Sequence, residues 1–155
     1  MTIRQYPTTI KVLLKPIWFN RAPTGKIGIN GLLEKFSLDQ ERWFEYDVTD
    51  HHGTEVMLTV EHYGKTNQDS DLVGNRDTAI VVDQIVLNNI FNPKFVGEGI
   101  YNPQYPQHYQ IQNPDMPASL KHYTYLGWNG IWTLNLTLPI YTWIHKVEDL
   151  GWIYN

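Results

Sequence analysis

Asn67, Asp69, Asp71, Asn75 and Asp77 crowd one glycine-containing loop, and Asp83 follows inside a β-branched run. Short side-chain oxygens at this density are what a hard cation such as Ca²⁺ needs, since it takes about six to eight oxygen ligands from flexible loops. The same residues are ordinary turn formers, because their side chains bond nearby backbone. A plain solvated loop therefore stands beside an ion site. Six Trp, ten Tyr and five Phe form the second chemical resource, too many for the core of a chain of 155 residues. Rings left at a surface offer large, rigid contact area with little rotamer entropy to lose, as in recognition of a sugar face or a neighbouring protein. Tyr101, Tyr105 and Tyr109 recur through one segment, and Trp128 stands in Gly127-Trp-Asn-Gly130. These four are the candidate contact residues.

Catalytic signatures are weak. The six histidines show no zinc-protease spacing, and Gly-x-Ser-x-Gly is missing. Hydrolysing a glycoside takes two carboxylates about 5–9.5 Å apart, and Glu45, Glu55 and Glu61 are the candidates that neighbouring strands would supply. Any acidic sandwich offers as much, so the chain is expected not to be an enzyme, with a glycoside hydrolase as the remote alternative. No cysteine is present to make a disulfide, a thiolate metal site or a nucleophile, which fits a reducing compartment. A net charge of −4 without a basic block disfavours nucleic acid. No apolar run has the length of a signal peptide or a membrane span.

The elements that must position these groups read as strands. Thr8–Phe19 is strand-like, with Pro16 placing its second half at an edge or bulge. Lys26–Asn30 alternates and meets Asn30-Gly31, a hairpin pair. Glu41–Val48, Thr54–Tyr63 and Thr78–Leu87 continue the pattern. The segment 91–119 departs from it. Its prolines, Pro93, Pro103, Pro106, Pro114 and Pro117, exclude a helix, and a structureless loop this long is uncommon inside a compact domain, so it reads as an ordered excursion that covers a sheet edge or reaches a partner. Lys121–Leu126 and Ile131–Leu138 follow as strands, joined by an expected hairpin at Asn129-Gly130. Ile140–Lys146 reads as a short strand, or alternatively Trp143–Leu150 as a helical turn. The expected fold is all-β: one antiparallel β-sandwich or jelly-roll domain over 1–155, with a proline-rich excursion. Val12, Leu14, Ile29, Phe44, Val56, Leu58, Val60, Ile80, Val82, Ile85, Leu134 and Leu136 are its expected core.

Two resemblances add to this. The strand, acidic loop and following Asp83-Gln-Ile-Val-Leu-Asn88 resemble the calcium-dependent, xylan-binding type of carbohydrate-binding module over residues 54–90. That resemblance implies Asp77 and Asp83 as Ca²⁺ ligands, supported by Asn67 or Asp69 and by loop carbonyls. Where the family commonly places Asn-Asp after the first strand, this chain has Tyr63-Gly-Lys-Thr-Asn67. The last third, from Tyr123 to Pro139 with Tyr141–His145 and Leu150–Asn155, resembles small uncharacterised proteins of large tailed phages. It implies a virion component decorating the capsid or lying in the tail or baseplate, bound to other virion chains in a larger assembly; the rings of Tyr101, Tyr105, Tyr109 and Trp128, read from the chain itself, are then the expected interface. The alternative is a calcium-dependent carbohydrate-binding module with a glycan partner.

Overall fold

The computed structural model describes residues 4–71 and 73–149. Two antiparallel sheets face each other. The first holds β1 (Gln5–Ile17), β4 (Arg42–His51), β6 (Ala79–Leu87), β7 (Ile90–Phe91) and β10 (Tyr125–Leu126), in the order β10-β6-β1-β4 with β7 also on β6. The second holds β2 (Thr24–Ile29), β3 (Leu32–Ser37), β5 (Glu55–Tyr63), β8 (Ile100–Pro103), β9 (Leu120–Lys121) and β11 (Gly130–Thr137), in the order β3-β2-β5-β11-β8-β9. The all-β antiparallel sandwich read from the sequence is the observed architecture.

Period-2 alternation produces it. Val56, Leu58 and Val60 of β5 and Trp132, Leu134 and Leu136 of β11 point inward and are essentially inaccessible. They meet Val12 and Leu14 of β1 and Ile80, Val82 and Ile85 of β6 in one buried cluster. Every expected core residue joins that cluster except Ile29, which packs against its margin. The hairpin between β2 and β3 turns at Asn30 (φ 51°) and Gly31 (φ 86°), the left-handed pair that Asn-Gly supplies cheaply. In β1 the register with β6 shifts between Leu13 and Leu14, where pairing with β4 also stops. The segment around Pro16 therefore pairs on one side only, as its missing N–H requires.

Three expectations change. The segment 91–119 is not helix-free: α1 (Lys94–Gly97) and α2 (Gln107–Gln112) form between its prolines, with Pro93 and Pro106 at their N-caps. Proline costs nothing there, because the first N–H groups of a helix lack intrahelical partners anyway. Between them β8 pairs with β11, so part of the excursion is an integral strand. Asn129-Gly130 is not a hairpin turn, since β10 and β11 lie in opposite sheets and the turn crosses between them. Past Pro139 the chain is helical, α3 (Ile140–Glu148), burying Ile140 and Ile144. No helix among the described residues is long and apolar enough to cross a membrane. Leu150–Asn155, part of the phage resemblance, lies outside the described residues.

A candidate binding groove

At one end of the sandwich β5 and β8 finish, β11 begins, β1 finishes and β6 begins. A groove of about 720 Å³ opens there, within the range of small-molecule sites. β8 contributes Tyr101, β10 contributes Tyr125, and the crossing turn contributes Gly127 and Trp128. α2 and its approach bring Tyr109 and Tyr105, while the loop after β5 brings Lys65, Asp71, Asn75, Arg76 and Asp77.

The rings pack in two groups. Tyr101 and Tyr123 stack with centroids 5.9 Å apart and planes within 7°. In the second group, Trp128 meets Tyr109 at 5.9 Å and Tyr109 meets Tyr105 at 5.7 Å, both tilted. The Tyr101 hydroxyl donates to the carbonyl of Trp128, whose N–H donates back at 3.2 Å. Tyr101 thus locks the crossing turn onto β8. Burial is the main reason its hydroxyl is harder to ionise than a free phenol, and the same holds for Tyr105 and Tyr125.

The polar floor centres on Asp77. Its Oδ1 accepts from the Thr78 N–H at 2.8 Å and from the Lys65 ammonium, and its Oδ2 accepts from the Tyr125 hydroxyl at 2.8 Å. The Lys65 ammonium also donates to the Gly127 carbonyl and lies 4.9 Å from the Trp128 ring centroid. Beneath this floor the buried ring of His62 reaches from β5 to the Leu126 carbonyl at 2.8 Å, tying one sheet to the other. Burial is the first cause holding His62 below the ordinary histidine range.

The four residues implied as calcium ligands are not brought together around one ion. Asp69 is buried and faces Arg21, which donates to both of its oxygens at 2.9 and 2.8 Å. It also closes a capping box with Thr66. Asp77 is held by Lys65. Asp83 lies on β6, 3.3 Å from the ammonium of Lys15, and Asn67 is exposed in the short helical turn 67–69. No group of three His, Cys, Asp or Glu side chains placed to share a metal ion exists among the described residues. Each carboxylate already faces its own cation, so this donor set does not fit calcium.

The ring residues fare differently. Tyr101, Tyr105, Tyr109 and Trp128 do converge, as parts of the lining of one groove. Tyr101 is core, 1% exposed, and Trp128 is half-buried instead of standing free at a hairpin tip. Tyr123, Tyr125 and Lys65 were missed. Gly127-Trp-Asn-Gly130 was the available signal, but its meaning depended on which sheets it joins. The carboxylates considered for glycoside hydrolysis are also divided, with Glu45 on β4 in one sheet and Glu55 and Glu61 on β5 in the other.

No protein-family model and no curated protein matches the chain. Two solved structures are similar to it. One is vCBM60 in complex with galactobiose, with TM-score 0.49 and 15% identity, covering 83% of this chain and 99% of that one. The other is the selenomethionine form of vCBM60, from work on a circular permutation linking two families of calcium-dependent carbohydrate binding modules. It has TM-score 0.49 and 12% identity, covering 82% of this chain and 89% of that one. At this depth of likeness, the groove's own geometry has to carry any functional conclusion.

Proposed function

We propose that this chain is a glycan-binding module that holds a neutral oligosaccharide in the aromatic groove. The observation that carries this is the groove lining: two groups of Tyr and Trp rings beside the fixed Asp77 carboxylate, Tyr125 phenol and Lys65 ammonium. Ring faces suit the apolar C–H faces of a pyranose, and convergent polar groups suit its hydroxyls. Its charged lining residues are Lys65, Arg76, Asp71 and Asp77, two of each sign, which sum to zero. A neutral glycan fits that balance better than an acidic one. A virion contact through the same rings is the second reading; of the four, Tyr101 is buried in the chain's own core, while Tyr105, Tyr109 and Trp128 keep part of their surface.

Affinity electrophoresis in gels carrying soluble xylan, galactan or mannan tests the proposal. The chain should be retarded by at least one of them, and Trp128→Ala with Tyr109→Ala should abolish the retardation. A chain that migrates freely through all neutral polysaccharides, and is instead found at fixed stoichiometry in purified virions, would return the virion role to first place.

A further inference from the structure

Lys65 is an unusual residue to find under a binding groove. Its side chain is 2% exposed, and burying an ammonium is unfavourable unless charge and hydrogen-bond partners surround it. Here they do. The ammonium faces the Asp77 carboxylate, the Gly127 carbonyl and the face of Trp128. The backbone of Lys65 is held as tightly: its N–H donates to Asn129 Oδ1 at 2.8 Å, and its carbonyl accepts from Asn129 Nδ2 at 3.0 Å. Gly64, with φ of 76°, turns the chain off β5 to place it there. Three parts of the groove, the 64–77 loop, the crossing turn and (through Asp77) Tyr125, therefore meet at one positive charge.

We propose that the Lys65 ammonium is a built-in cation of the groove, so that the site needs no divalent ion. A fixed ammonium beside Asp77 repels a second cation, and it occupies the carboxylate oxygen such an ion would use. Two of the three Lys65 N–H donors are already taken by Asp77 and the Gly127 carbonyl, and the ammonium lies over the Trp128 ring. Lys65 is a positioning residue: it holds Asp77 and Trp128 where a sugar meets them. This rests on the glycan-binding proposal for the groove, but its central test does not need a glycan.

That test is thermal unfolding of the full chain with millimolar calcium alone and with chelator alone. An ion bound at a hundred times its dissociation constant would raise Tm by roughly 5–10 °C in a chain of this size. The expected result is no shift in either condition, together with a slowly exchanging Lys65 Nζ resonance in ¹H–¹⁵N spectra. A rise with calcium, a fall with chelator, or a rapidly exchanging Nζ overturns the proposal. Lys65→Met keeps the apolar stem and removes the charge. It should weaken retardation by whichever polysaccharide gel retards the parent at least about tenfold, as loss of charge-assisted bonds does, and Lys65→Arg should restore part of it. Equal retardation of the parent and Lys65→Met also overturns it. If no gel retards the parent, the glycan proposal falls, while the calcium and Nζ results still decide the built-in cation.

Discussion

Asp69 shows how one residue can look like an ion ligand and serve another purpose. Hydrogen bonds from Arg21 are the largest cause drawing its carboxyl down to about 2 from a reference value of 3.8. A depressed carboxylate stabilises the fold above its unfolded pKa, and that contribution is lost as pH falls through the folded one. Stability should therefore decline between about pH 4 and pH 2, by on the order of 2 kcal/mol from this group. Asp69→Asn should flatten that part of the profile in urea titrations at stepped pH. The tyrosines divide in a similar way. Tyr101→Ser removes a fully buried ring from the core and should cost about 3–5 kcal/mol. Tyr105→Ser with Tyr109→Ser, at the partly exposed groove wall, should leave unfolding within about 1 kcal/mol of the parent while removing glycan retardation. Calorimetry and affinity gels on the same samples separate the two.

At the scale of elements, the excursion is organised by what it packs against. Gly99 stands where α1 gives way to β8, and a Cβ built there would lie 2.1 Å from the Trp132 ring. Trp132 is completely buried, so neither partner can yield easily. Gly99→Ala should destabilise the chain by about 1–3 kcal/mol, the usual cost of overpacking. It should also disturb the groove, because β8 carries Tyr101. Gly31→Ala makes a useful contrast. Nothing lies within 4 Å of a Cβ at that position, and the strain comes only from φ of 86°. A loss of about 1 kcal/mol by chemical denaturation, with unchanged glycan retardation, is expected. Fine structure in one hairpin at the far side of the sheet should not reach the groove.

Across the whole molecule, the groove exists because two sheets end together. His62 on β5 and Leu126 on β10 bridge them, and the turn that carries Trp128 passes from one to the other. Binding by ring faces and neutral hydroxyls in a groove of balanced charge should respond weakly to ionic strength, unlike contacts between exposed charges. Gel retardation by a neutral polysaccharide should therefore hold nearly constant from low to high salt. A steep loss would show that the charged groups of the groove, Arg76 among them, carry the binding in place of the ring faces.

Strand alternation, the Asn30-Gly31 turn and the inward residues of β1, β5, β6 and β11 were legible in the chain itself, because side-chain period and left-handed turn residues are local properties. So was the supply of rings in 101–128. The pairing of charges was not. Asp69 meets Arg21 from a point 48 residues earlier, and Asp83 meets Lys15 across the β1–β6 pair. A loop rich in Asp and Asn looks the same in sequence whether a cation diffuses in or arrives as a side chain from another strand. Lys65 illustrates the difference most plainly, since only the folding of the 64–77 loop beneath the crossing turn puts its ammonium against Asp77 and Trp128. Local pattern determined the strands. Which sheet each strand joined, a choice made by burial between distant segments, decided where the groove lies and what holds its charge.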